Sequence, residues 1–270
     1  MSSHTETVGV PDCLVFPDKF SLSARLGMLA LGAVAGIAGG LALARSGTDA
    51  LWIAGAFVAF AGGLLSTWSP CGYSCVSLLR QTGRGARGWI EYLPTFAMHG
   101  IGYAMGAVIL GSLLGGIGML LGFSGFTTTA GLGILAVIGL VYGLHQLDFL
   151  KVPYPQRKAQ VPHDARQRFP VWFVGWLYGF ALGLDYLTYV QTPLLYLMTA
   201  AAILTGNIPE AIAIIAVFNL GRFLPMIVNL FPVKDYEVQA WLGRNQERAA
   251  IADGVILVAT GAALATLLAV

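Results

Sequence analysis

Two cysteines stand four residues apart in the run Ser66-Thr67-Trp68-Ser69-Pro70-Cys71-Gly72-Tyr73-Ser74-Cys75, a polar, proline-bearing segment inside an otherwise apolar stretch. If helix resumes after Pro70, Cys71 and Cys75 share one face as i, i+4 neighbours, a separation compatible with a disulfide. Cys71 then lies in the first turn of the new helix, where the dipole favours the thiolate. Such a pair suits thiol-disulfide exchange. The plainer reading is two small, soft residues buried in a core. A metal would need further Cys or His ligands, and only His99 and His145 fall in apolar segments. The third cysteine, Cys13, belongs to the polar N-terminal tail, and three are too few for a disulfide framework.

Asp185 and Arg222 fall about midway along apolar segments, where an ionisable group is expensive and turns to a partner inside the bundle. As the only such acid and base, they are expected to pair, either as a clamp between helices or as part of a substrate site. His99 is expected to make an interhelical hydrogen bond. Gln191-Thr192-Pro193 is expected to line the cavity that the cysteine run borders. Pro70, His99, Asp185, Gln191, Pro193 and Arg222 thus form the expected midplane polar site, while His145 and Asp148 are expected in water at the interface. The sequence holds no nucleotide loop, hydrolase elbow or histidine-rich cluster, so no cofactor and no metal site is expected.

The elements that hold these residues must be membrane helices. Hydrophobic residues are 57% of the chain and charged ones 10%, against roughly a quarter charged in a soluble domain. The net charge of +2 is scattered over short loops, so nucleic acid is not an expected partner; the lipid bilayer is. Runs long enough to span a bilayer lie at 26–44, 51–79, 93–121, 128–147, 171–204, 210–231 and 251–270. The spacing therefore predicts seven transmembrane helices in an all-α integral membrane protein. The second and fifth are too long to be simple spans, and Pro70 and Pro193 are expected to break them. Thirteen Lys and Arg fall in alternate loops (Lys19, Arg25, Arg80 and Lys151 among them), against Arg45 on the other side. The positive-inside rule then places the N-terminus in the cytoplasm and the C-terminus at the opposite face of the membrane.

Residues 1–50 read as a tail with an additional span, 51–147 as one three-helix unit, 148–170 as a cytoplasmic linker and 171–270 as a second three-helix unit. Pro70 corresponds to Pro193, Phe96 to Phe218 and Gly139 to Gly261 at nearly constant offset. Three spans per unit make the second enter from the opposite face, an inverted repeat whose broken helices point to a midplane site. Gly32, Gly36 and Gly40, like Gly175, Gly179 and Gly183, repeat every four residues as close-packing faces.

With Ser69-Pro70-Cys71 in a broken helix of a two-times-three-span core, the chain resembles the transmembrane thiol-disulfide carriers of the CcdA/DsbD superfamily, known from cytochrome c biogenesis. Asn219-Leu220-Gly221-Arg222-Phe223-Leu224-Pro225 is similar to a Gly-x-x-x-Pro stretch in those carriers. Within the superfamily, the run from Leu65 to Ser74 and the run Met98-His99-Gly100-Ile101-Gly102-Tyr103 are most similar to the MauF family. The resemblance implies a membrane accessory for maturing periplasmic methylamine dehydrogenase, a thiol-disulfide redox carrier rather than a conventional enzyme, with thioredoxin-like and periplasmic maturation proteins as partners. It assigns Cys71 to the position of the carriers' first redox cysteine. The carriers place their second in the other half, and residues 171–204 contain none. A transporter of a small solute or ion, working through Asp185 and Arg222, is the competing class, and a scaffold without chemistry is the third.

Overall fold

The computed structural model describes residues 20–80, 85–157, 159–162, 164–231 and 233–270, and of 70, 71, 73 and 85–87 the backbone alone. Cys13 lies outside the described residues. Every regular element among them is helical. In chain order these are α1 Leu22–Ala44, α2 Thr48–Leu65, α3 Pro70–Leu78, α4 Gly85–Leu120, α5 Thr129–Gln146, α6 Ala165–Arg168, α7 Val171–Gly183, α8 Leu194–Leu204, α9 Ile208–Phe223, α10 Asp235–Arg244 and α11 Gln246–Ala269. Short 3-10 turns at Ser66–Trp68 and Leu224–Leu230 follow α2 and α9.

Six helical stretches are long and apolar enough to cross a bilayer: Leu22–Ala44, Thr48–Trp68, Gly88–Leu120, Thr129–Gln146, Ile208–Leu230 and Gln246–Ala269. The chain is a multi-pass helical membrane protein. The expected span over 171–204 is instead two shorter apolar helices, α7 and α8, each below the roughly 20 residues a span requires. Lipid-facing flanks carry the exposed apolar side chains, among them Leu31, Val34, Phe57, Ile90 and Val137.

The bundle is held by close approaches that only glycine permits. Gly32, Gly36 and Gly40 of α1 lie against the backbone and small side chains of α11 between Val255 and Thr266. Gly175, Gly179 and Gly183 of α7 lie on Thr95, His99 and Tyr103 of α4, and a Cβ on Gly179 would collide with the His99 carbonyl. Without a hydrophobic driving force between helices in lipid, such backbone contact supplies the dispersion that holds them. Three local readings need correction. Helix α4 begins before Pro94 and runs through it, because neighbouring groups in a membrane bundle re-satisfy what proline frees. The segment after residue 231 forms α10, whose Val238 and Leu242 are buried while Tyr236 and Trp241 remain exposed. Asp148 and His145 are not simply solvated: Arg25 reaches Asp148 at 2.8 Å, and the Val152 N–H donates to His145 Nδ1 at 3.0 Å.

Candidate functional site

The first break forms where a proline forbids continuation. Ser69 is extended (φ −77°, ψ 152°), the region a pre-proline residue is driven to. Pro70 then opens α3 at its first position, where a missing N–H costs least. Ser66 donates its hydroxyl to the Gly63 carbonyl at 2.6 Å, covering one acceptor that the end of α2 leaves without a helical partner. The backbone places Cys71 second in α3 and Cys75 one turn later. Cys75 is 2% exposed and packs among Val76, Tyr103, Leu182 and Met226. The Cys71 side chain lies outside the described residues.

The second break runs from Leu184 to Pro193, with Pro193 as the N-cap of α8. Helix α7 stops at Asp185, whose φ of +54° is left-handed, a conformation that Asp tolerates better than most residues. The exposed end of α7 is closed by side chains from α9. Arg222 Nη1 donates to the Leu182 carbonyl and to Asp185 Oδ1, both at 2.8 Å, and Nη2 to Thr188 Oγ1 at 3.4 Å. Asn219 Nδ2 donates to the Gly183 carbonyl at 2.9 Å. The expected Asp185–Arg222 pair therefore forms, fully buried. Its arginine also replaces helical hydrogen bonds that the break removed, as low-dielectric surroundings require. Asn229 does the same for α3, donating to the Val76 carbonyl at 2.9 Å.

His99 makes the expected interhelical bond. Its Nδ1 lies 2.8 Å from the Gly175 carbonyl, so Nδ1 carries the proton and Nε2 is the acceptor. Nε2 is buried without a partner. A small cavity brings Cys75, His99, Tyr103 and Arg222 together with Thr67 and Pro225. A groove of about 630 Å³ shares Thr67, Val76 and Pro225 with it and runs out between Trp68, Val228 and Trp241. The groove thus adjoins the cavity that Cys75 lines.

Gln191 does not join that cavity. Its N–H donates to Ser69 Oγ at 2.8 Å, tying the second break to the first, but its side chain lines a separate cavity with Trp68, Thr192 and Asp253. Asp253 also corrects the reading that Asp185 and Arg222 are the only ionisable groups within spans. It lies two turns into α11, is 1% exposed, and accepts a hydrogen bond from Thr192 Oγ1. Sequence reasoning assigned no role to Ser69 or Asn219 and passed over Asn229 and Asp253. A single acid inside the last apolar run was the available signal for the last of these. Among the described residues no group of three or more His, Cys, Asp or Glu could hold a metal.

The chain is similar to the methylamine utilization protein MauF of Paracoccus versutus, 67% identical over 97% of this chain and 94% of that protein. It is 64% identical to MauF of Paracoccus denitrificans over 96% of this chain and 93% of that one. It is 50% identical to MauF of Methylobacillus flagellatus over 96% and 92%. No protein-family model and no solved structure matches the chain.

Proposed function

Because the chain belongs to the MauF family of methylamine utilization proteins, we propose that it is an accessory protein of the bacterial inner membrane. In this reading it matures a periplasmic enzyme of methylamine utilization by thiol-disulfide exchange through Cys71 and Cys75. The observation that carries it is Cys75, buried one turn after Cys71 in the helix that restarts at Pro70, beside an unpartnered acceptor nitrogen of His99.

In the exchange, a thiolate attacks one sulfur of a partner's disulfide and expels the other as thiolate, giving a mixed disulfide. The second cysteine displaces the partner, which leaves reduced, while Cys71 and Cys75 hold the disulfide. The reverse sequence delivers a disulfide to a client. Thioredoxin-like and periplasmic maturation proteins are the proposed partners.

The proposed topology counts α7 and α8 as one broken fifth span, giving seven. The positive residues put the N-terminus in the cytoplasm and the C-terminus in the periplasm. Residues 51–147 and 171–270 are then inverted repeats, with 1–50 added and 148–170 linking them. Helix packing supports this. Helix α4 packs on α7 as α2 packs on α9, and α5 packs on α11. Gly139 and Gly261, counterparts in the repeat, face one another at that last crossing, as residues on a two-fold axis do.

The test is acid-quenched alkylation of native membranes, with Cys71 and Cys75 read by mass spectrometry, beside Cys71→Ser and Cys75→Ser strains scored for active methylamine dehydrogenase. Cycling thiols and failed maturation are expected. Thiols that stay reduced in strains whose variants mature the enzyme normally would remove the redox reading and leave transport through Asp185 and Arg222 to be assayed.

A further inference from the structure

The cavity on the far side of the two breaks differs in kind from the one at Cys75. It has a volume of about 10 Å³, the space of one water, and its polar lining is Gln146, Gln191, Thr192, Gln246, Asp253 and the edge of Trp68. Asp253 Oδ1 accepts from the Thr192 hydroxyl, while Oδ2 is fully buried and has no hydrogen-bond partner. Gln191 Oε1 is engaged by Gln246 Nε2 at 3.3 Å. None of the lining residues is basic, and Asp253 makes no ion pair among the described residues.

An ionised carboxylate buried with one hydroxyl donor and no counter-charge is strongly disfavoured in protein interior or lipid. The neutral acid suffers far less of that cost, and Asp253 lines the cavity. Next to this cavity, and sharing Gln146 and Ala250 with it, opens a polar cleft of about 500 Å³ at the ends of α1, α5 and α11. Arg25 binds both Asp148 and Glu247 in that cleft, and His145 and Lys151 line it. On the linker, α5, α8 and the second break stand tyrosines, and α10, which also packs on α11, carries Asp235, Glu237 and Arg244. Tyr154 of the linker donates to the Val190 carbonyl at 2.8 Å, and Tyr142, Tyr189 and Tyr196 stand around it. The acid's own helix adds Glu247, in the cleft, and Arg248, turned to Asn245.

We propose that Asp253 is a proton-binding site, a buried acid between the two helix breaks that exchanges its proton with the cleft at Arg25 and Lys151 past Gln146 and Ala250. The step is a bare proton transfer: hydronium in the cleft gives its proton to the ionised Oδ2 and is left as water, and the reverse step returns it, with no redox change. Through Thr192 the site belongs to the second break, and through the neighbouring Gln191 N–H it is one hydrogen bond from Ser69 and hence from the first. The site is independent of the thiol reading.

The experiment is infrared spectroscopy of the full chain in lipid nanodiscs, in H2O and D2O. A carbonyl band of a protonated carboxylic acid is expected near neutral pH. It should shift in D2O, vanish in Asp253→Asn and survive in Asp185→Asn. In Thr192→Val, where the acid remains but its carbonyl partner is gone, the band should move to higher frequency; this variant decides the matter if Asp253→Asn does not fold. A band that persists in Asp253→Asn, ignores D2O or is unmoved in Thr192→Val would overturn the proposal. So would a band that appears only when sodium is withdrawn, since the carboxylate would then be a sodium ligand.

Discussion

Two aspartates are buried in this membrane protein and they are kept in opposite ways. Asp185 ends α7 in a left-handed turn and meets an arginine that is simultaneously bound to Leu182 and Thr188. Asp253 sits inside a continuous helix and meets a threonine hydroxyl. The first is surrounded by groups that need its charge. The second is surrounded by neutral groups and lies one residue layer from a polar cleft. A break in a helix, in other words, creates orphaned carbonyls that recruit a cation, and the acid follows the cation. An unbroken helix creates no such demand, so its acid is left to find a proton.

The contrast can be broken most sharply at the arginine. Arg222→Met should strand Asp185 and uncover the end of α7, with a loss of about 3–5 kcal/mol, read as failure to accumulate or a collapsed melting temperature in detergent. Asp185→Leu with Arg222→Met should recover part of that loss but not all, because the arginine's bonds to the Leu182 carbonyl and the Thr188 hydroxyl are still lost. Overpacking the same region comes next: Gly179→Leu would push α7 off His99 and α4 and should cost about 1–3 kcal/mol, seen as a lower unfolding temperature. Asp253→Asn swaps one neutral group for another if the acid carries a proton, and should cost about 1 kcal/mol or less. A melting shift as large as that of Arg222→Met would erase the distinction between the two acids. The smallest effect is expected for Asp148→Asn, which loosens a partly exposed contact to Arg25 worth about 0–1 kcal/mol.

Much of the frame was legible in the residues. Apolar run length marks the spans because a bilayer demands about 20 residues in each. Pro70 marks the first break through local ring geometry, while at the second α7 ends well before Pro193, which caps α8. The Asp185–Arg222 pair was legible for a related reason: two costly groups in apolar segments have few places to go. Glycines at four-residue spacing marked the α1–α11 and α4–α7 faces, though not which helices they would meet. Helix α10 was hidden, since its segment is too polar and short to register as a span. The correction for Gln191 is instructive too. Counting from the proline placed it opposite the cysteines, but the longer second break turns its side chain to the other side of Trp68.

The sequence by itself determined a multi-pass helical membrane protein, the two interruptions and the family it belongs to, because hydropathy, proline and motif identity are properties of neighbouring residues. Only the tertiary structure decided which acid has a cation and which has a hydroxyl. It alone decided that Ser69 receives the Gln191 N–H and that His99 and Cys75 border one cavity while Asp253 borders another. Those outcomes depend on which faces of distant helices meet. That meeting is set by backbone contacts at glycine, whose four-residue spacing marks a face but not its partner, and by carbonyls at the breaks, which local order along the chain does not mark.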